Sequence, residues 1–393
     1  MRTITKTLLL LLVLAVAPAS MYAIKILHGP YLQSVSETEA TIVWTTDSQS
    51  VAWVELAPND GTNFYAQMRP RYYDTQIGIK RTDNIHAVTL RGLRPGTTYR
   101  YRVYAQEVLS HRGNRVNYGN VAATDVYTKA PLAFTTLDTH KATTSFLVVN
   151  DIHEHADRMK TLLGRADYKS KDMVFFNGDM LSLFDKEQKF WGGFMDTAVS
   201  MFAGEKPLYY VRGNHETRGQ LADRFHRYVR PNDAHLYFTI EQGPVFFICL
   251  DTGEDKPDND IEYAGITDYD NYRTQQAEWL RQVVASDAFK RARFRVVVAH
   301  IPPRYTPEAW HGDIEVRDKF MPILNEAGIS LMICGHLHKF EYTEPNSQLK
   351  FPILVNSNEA IVSAETQGDR LDVKIVELDG KTSFHKSYDA LQR

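Results

Sequence analysis

Five short apolar runs in this 393-residue sequence each stop at residues able to hold a metal ion. Phe146-Leu147-Val148-Val149 leads into Asn150-Asp151-Ile152-His153, and Met173-Val174-Phe175-Phe176 into Asn177-Gly178-Asp179. Leu208-Tyr209-Tyr210-Val211 leads into Arg212-Gly213-Asn214-His215-Glu216. The run from Phe294 to Ala299 ends at His300, followed by Ile301-Pro302-Pro303, and Leu331-Met332-Ile333-Cys334 ends at Gly335-His336-Leu337-His338. A single Gly-Asp or Gly-Asn-His is a common turn; five such endings in series are hard to attribute to accident. The donors are imidazole, carboxylate and amide oxygen, without cysteine, which suits Zn, Fe, Mn or Ni better than a thiophilic ion. Asp151 and His153 stand at i and i+2, so an extended chain aims both the same way, as it does His336 and His338. Asp179 stands alone behind its glycine with two oxygens, enough to serve two ions. Two divalent cations against two carboxylates and a hydroxide leave net positive charge, which attracts phosphate and can supply hydroxide near neutral pH.

These residues need strands whose ends meet. The apolar runs are short and mostly rich in β-branched or aromatic residues, which reads as strands buried on both faces. In open sheets ligands gather outside the carboxyl ends of strands, so one shared sheet would bring the five endings into one crevice. Val316, Phe320, Ile323, Leu324 and Ala327 lie on one helical face, with Pro322 implying a kink or a displaced start, and Ala277, Leu280, Val283 and Val284 mark a second helix. Leu236–Ile240 and Val245–Leu250 read as a hairpin inserted between the units. The region from 145 to 393 is therefore expected to be an α/β or α+β sandwich with a mixed sheet.

Residues 24–138 carry a different pattern. Alternation at Ala40, Ile42 and Trp44, at His86, Val88 and Leu90, and at Tyr99, Tyr101, Val103 and Ala105 predicts half-buried strands. Leu93-Arg94-Pro95-Gly96-Thr97-Thr98-Tyr99 is similar to the tyrosine corner of β-sandwiches, with Trp44 as a core candidate. The segment resembles a fibronectin type III-like domain. Residues 107–131 read as a long loop, and nothing in the module is arranged for chemistry. Ahead of it, Arg2 and Lys6 precede an apolar run from Leu8 to Ala17 and a small-x-small Ala17-Pro18-Ala19, the order of a signal peptide spanning 1–19, with a cut after Ala23 as an alternative and an uncleaved anchor as another. Its loss would take the net charge from -3 to -5. The expected mature protein is exported, periplasmic or secreted, with no transmembrane segment. Near-neutral charge gives no nucleic-acid footprint, and Cys249 and Cys334 read as reduced core residues. Oligomeric state is not encoded in any visible pattern.

The ordered series D-x-H, G-D, G-N-H-E, H and G-H-x-H over residues 145–360 resembles the calcineurin-like metallophosphoesterase superfamily, and the fibronectin-like segment before it resembles the purple acid phosphatase branch. The resemblance implies a β-sandwich flanked by helices holding two divalent or mixed-valence metal ions. It places Asp151, His153, Asp179 and His338 on one ion and Asp179, Asn214, His300 and His336 on the other, with Asp179 bridging and His215 facing the substrate. Two positions depart from the purple pattern: Ser182 stands where that branch carries a tyrosine, and His153 where it usually carries glycine. His153 could instead be a hydrogen-bond donor behind the ligands, and His215 a brace for Asn214. Glu216 with Arg218 could be a structural ion pair or a substrate contact, and Arg304 and His311 are candidate substrate-binding residues beside Asn214, His215 and Arg218. The expected activity is a two-metal phosphomonoesterase. A phosphodiesterase acting on nucleotides or lipid head groups, and an extracellular binding protein with a structural metal site, are the alternatives.

Overall fold

The computed structural model describes residues 23–229 and 235–392. The expected signal peptide at 1–19 lies outside the described residues.

The N-terminal region is all β. Its organising element is the 20-residue strand Glu39–Pro58. The first half, Glu39–Thr45, pairs with Tyr31–Gln33 and Thr82–Arg91, and the second half, from Ser50, pairs with Thr98–Arg112. The register breaks between Thr45 and Ser50, so one strand serves both leaves of a sandwich. Trp44, Val54, Val88, Tyr101 and Phe134 fill the space between them. Tyr99 closes the expected corner: its hydroxyl accepts the Arg94 N–H at 3.0 Å.

One expectation fails here. Residues 107–131 are not a long loop; Thr98–Arg112 and Arg115–Ala123 form a hairpin through Gly113. Its register shifts twice, between Gln106, Val108 and Ser110, and Leu109, Tyr118 and Val121 are exposed. An irregular hairpin wet on both faces has no period-2 apolar signal to read.

The second region packs two six-stranded sheets face to face. One runs Leu208–Val211, Met173–Asn177, Ser145–Val149, Ala360–Gln367, Arg370–Glu377, Thr382–Asp389. The other runs Phe238–Gln242, Val245–Leu250, Phe294–Ala299, Leu331–Cys334, Ile353–Val355, Glu341–Thr343. All five apolar runs are strands, yet they do not share a sheet: three lie in the first and two in the second. Within each sheet these strands are parallel. Phe146 and Phe175 meet Phe247 across the interface at ring-centroid distances of 5.0 and 5.1 Å. The carboxyl ends converge because the sheets face each other, and Asn177 Nδ2 at the end of one sheet donates to the Ala299 carbonyl at the end of the other at 3.1 Å. The outer faces are covered by Ala156–Arg165 and the 187–203 helical stretch on one side, and by Tyr269–Ala285 and His311–Leu324 on the other. The latter helix starts at His311 and runs past Pro322 to Leu324, so its start is not displaced to the proline, which withholds one N–H from the last turn. Cys249 and Cys334 are buried and free.

The two regions are joined by buried tyrosines. Tyr31 Oη–H donates to the Tyr228 carbonyl at 2.7 Å, Tyr101 to Gly204 at 2.6 Å, and Tyr209 to Val35 at 2.6 Å. Among the described residues, no helix is long and apolar enough to cross a membrane.

Candidate metal centre

The strand ends make sharp turns before they present their side chains. Asp151, His153, Asp179, His336 and His338 all have positive φ, between 47° and 72°. A non-glycine residue in this region costs about 1–3 kcal/mol and persists only where its surroundings demand it. Five such residues at the ends of three strands mark this as a site and not a set of ordinary turns. Glycines let the turns touch: a Cβ on Gly213 would lie 2.3 Å from Asp179 Oδ1, and one on Gly178 would lie 2.4 Å from His300 Nδ1.

Two groups of donors result, sharing Asp179. Asp151, His153, Asp179 and His338 form one, and Asp179, His300 and His336 the other. In the first, His338 Nε2 lies 3.1 Å from both Asp151 Oδ1 and His153 Nε2. In the second, His300 Nε2 lies 3.1 Å from Asp179 Oδ2, and His336 Nδ1 lies 3.0 Å from Asn214 Oδ1.

Several donors are held from behind. Asp151 Oδ2 accepts the His336 N–H at 2.9 Å and Asn150 Nδ2 at 2.6 Å. Its Oδ1 is buried and finds no aligned donor among the described residues. Asp179 Oδ1 accepts the His215 N–H at 3.0 Å while Oδ2 faces the imidazoles. His300 Nδ1–H donates to the Asn177 carbonyl at 2.8 Å, which leaves the Nε2 lone pair for a ligand bond. The inner amide atom of Asn214 lies 3.0 to 3.3 Å from His336 Nδ1, His300 Nε2 and Asp179 Oδ2. The amide fits either way round: an N–H turned inward can donate to Asp179 Oδ2 while its oxygen accepts from Arg218, and a carbonyl oxygen turned inward can face a cation while Nδ2–H serves Asp255 Oδ2 at 3.4 Å. A buried carboxylate oxygen with no aligned donor, set among imidazoles and a second carboxylate, fits a resident cation.

The electrostatics agree. Burial holds His336 down to about 4 and lowers His153, so both imidazoles are in the neutral form that binds metal. Burial also works against a charge on His300, but Asp179 and Asp151 outweigh it and push that ring up to about 10. The Asp151 carboxylate, 3.1 Å from its Nε2, raises His338. The carboxylates therefore recruit protons onto the rings where a metal would supply the positive charge.

A model of the calcineurin-like phosphoesterases matches residues 144–340, and a model of the purple acid phosphatase N-terminal domain matches residues 28–128. The chain belongs to the calcineurin-like phosphoesterases. Among plant members, "Purple acid phosphatase 18" of Arabidopsis thaliana is 23% identical over 80% of this chain and 65% of its own length. "Probable purple acid phosphatase 20" of the same plant is 22% identical over 79% of this chain and 70% of its own. The chain thus spans just under two thirds of the first relative. A purple acid phosphatase from yellow lupin (Lupinus luteus) seeds matches in fold, with a TM-score of 0.66, 14% identity, and coverage of 91% of this chain and 73% of that one.

In this phosphoesterase His215 belongs to neither donor group. Its Nδ1–H donates to the Ser182 carbonyl at 2.7 Å, and its Nε2 faces Asp179 Oδ2 at 3.8 Å. His215 and His338 are partly open, with 28% and 46% of their side-chain surface exposed, which marks the side from which a ligand can approach. The Glu216–Arg218 ion pair, one of the two readings of these residues, does not form. Glu216 is fully buried and accepts four backbone N–H groups, from Asp179, Met180, Leu181 and Gly213, and the Tyr210 hydroxyl. It ties the Gly178-Asp179 turn to the Gly213-Asn214 turn. Arg218 instead donates to Glu254 and Asp255, and its side chain is 12% exposed. Arg304 pairs with Glu341, and His311 Nε2 with Asp270 Oδ1 at 2.7 Å; the structure places neither among the converging donors.

Glu254 and Asp255 were not singled out in the sequence. They lie more than thirty residues beyond Arg218, in a stretch without periodicity, and the only available signal was a pair of acids following the strand Val245–Leu250.

Removing Glu216 would orphan those five donors. Glu216→Ala is expected to destabilise the fold by several kcal/mol, since an unsatisfied buried polar group costs about 1–3 kcal/mol. The measurement is the denaturant midpoint; an unchanged midpoint would contradict the tie.

Proposed function

We propose that this protein is an exported phosphomonoesterase with a dinuclear metal centre, residues 24–138 forming a β-sandwich and residues 145–393 the catalytic domain. The observation that carries this reading is the pair of donor groups sharing Asp179. Asp151, His153, Asp179 and His338 would hold one ion, and Asp179, Asn214, His300 and His336 the other. The metals suited to this set are Zn, Fe, Mn or similar ions. When bound, they supply Lewis acidity toward the phosphoryl oxygens and an activated water.

The chain's own residues do the rest. Asp179, common to both donor groups, would offer one carboxylate to both ions. Asn150 and the His336 N–H hold Asp151 Oδ2, so Oδ1 is presented to the centre. Asn177 sets the His300 tautomer. His215, with Nδ1–H committed to Ser182, has Nε2 for the ester: in the protonated ring it can give a proton to the departing alkoxide. Arg218 holds Asp255 behind Asn214 and supports the amide from outside.

The test is hydrolysis of a panel of phosphomonoesters and phosphodiesters by the purified, metal-replete protein. Preference for monoesters is expected; diesters cleaved tenfold faster would replace the assignment, and no hydrolysis of either would remove it. Export is supported by the charged and apolar start at 1–19, and the mass of the mature protein tests it.

Colour gives a separate check. Ser182 Oγ–H donates to Glu154 at 2.6 Å, and serine has no low-energy charge transfer to iron of the tyrosinate kind. Iron-loaded protein should lack a broad visible tyrosinate band; a strong band would mean that another tyrosine ligates the metal.

A further inference from the structure

The residue that orients His215 is itself held from behind. Ser182 carries the carbonyl that accepts His215 Nδ1–H. Both of its remaining polar groups go to one carboxylate: Glu154 Oε1 accepts the Ser182 N–H at 2.9 Å, and Oε2 accepts its Oγ–H at 2.6 Å. Glu154 takes up this position at a cost. Its φ is 59°, a left-handed value that glutamate rarely adopts, and its own N–H is tied to the Met180 carbonyl at 3.0 Å. The helical stretch behind it gives way as well: a Cβ on Gly193 would lie 2.8 Å from Glu154 Cγ and 3.2 Å from its Cα. Gly193 sits in a π-helical segment, Trp191–Met195, a geometry that often marks functional sites.

We propose that Glu154 is a positioning residue for His215: by gripping both polar groups of Ser182 it fixes the carbonyl that selects the His215 tautomer and aims Nε2 at the centre. The proposal rests on the reading of His215 as the group that serves the leaving oxygen. A ring nitrogen that donates to a fixed carbonyl leaves the other nitrogen free in a set direction. The Ser182 N–H and hydroxyl converge on the two oxygens of one carboxylate, which leaves the Ser182 carbonyl turned toward His215. The Ser182 Oγ also lies 3.5 Å from His153 Nδ1, at the edge of hydrogen-bond range, so the chief load falls on His215.

The experiment uses the full mature chain, metal-replete, with Glu154→Ala, Glu154→Gln, His215→Ala and the Glu154→Ala/His215→Ala double variant. Loss of an orienting partner typically costs 10–100-fold, and Glu154→Ala is expected to lower kcat on an alkyl phosphate by about that factor, with metal content unchanged. Glu154→Gln keeps an acceptor for the Ser182 N–H and should recover part of the loss. The double variant should be no slower than His215→Ala alone, because the effect passes through that ring. A second readout needs no turnover: imidazole ¹⁵N shifts of His215 in metal-free protein should report the Nδ1–H tautomer in wild type and a mixture in Glu154→Ala. Losses that multiply in the double variant, or an unchanged tautomer in Glu154→Ala, would overturn the proposal. If Glu154→Ala does not fold, the tautomer in Glu154→Leu, which fills the space and accepts neither Ser182 group, decides, a shift toward the mixture supporting the proposal and no shift overturning it. If wild type hydrolyses no phosphomonoester, the proposed function fails while the tautomer measurement still judges the positioning.

Discussion

Asp179→Ala should lose both metal stoichiometry and turnover. Asp179 is the one residue common to the two donor groups, and its side chain is 2% exposed. Burial opposes its charge, but His300 and His215 hold its carboxyl well below the usual range, so an anion stands between the two groups. Metal ions supply several kcal/mol of transition-state charge stabilisation, and each 1.36 kcal/mol is tenfold in rate, so loss of the bridge should cost on the order of 10³-fold or more. Asp179→Asn is the shape-conserving control: it keeps one oxygen and loses the charge, and should also fall below two ions per chain. Metal analysis by mass spectrometry beside a kinetic assay checks both variants. Near wild-type turnover with two ions retained in either would mean that another group bridges.

His215→Ala should behave in the opposite way toward metal. The ring touches the Ser182 carbonyl and faces Asp179, and it belongs to neither donor group. Its loss should leave both ions in place while kcat falls. A positioned acid contributes roughly 10²–10⁴-fold. An alkyl phosphate, whose alkoxide needs the proton, should suffer most of that loss. Nitrophenyl phosphate leaves as a stabilised phenolate and should suffer much less. Equal losses on both substrates would assign His215 to the phosphoryl oxygens, and loss of metal would assign it to the ligand set.

How much of this was readable in advance differs from residue to residue. The ligand candidates at the five strand ends were legible because a buried strand ending in histidine, aspartate or asparagine leaves polar groups that need a partner. A sandwich was expected, but the convergence was argued through one shared sheet, whereas the strand ends meet across two. Short apolar parallel strands look alike whichever sheet they join, so the division into two facing sheets carries no signature in the runs themselves. The 98–123 hairpin was missed because its far half is wet on both faces, and period-2 reading needs one face dry. Glu216 could be seen as the last letter of a motif, but its role is to accept backbone N–H groups, and backbone donors have no residue type to search for. The same holds for Glu154, which acts through Ser182, 28 residues away on a different turn. The Arg218 network depends on Glu254 and Asp255, brought back by the strand Val245–Leu250 and visible only once the sheet is assembled.

The most direct test of the dinuclear phosphatase account is a titration of metal-free protein, held well above the metal dissociation constants, with turnover of a phosphomonoester followed at each addition. The account predicts that activity stays low through the first equivalent and rises to a plateau at two equivalents per chain. A plateau at one equivalent would contradict it, as would no turnover at any loading.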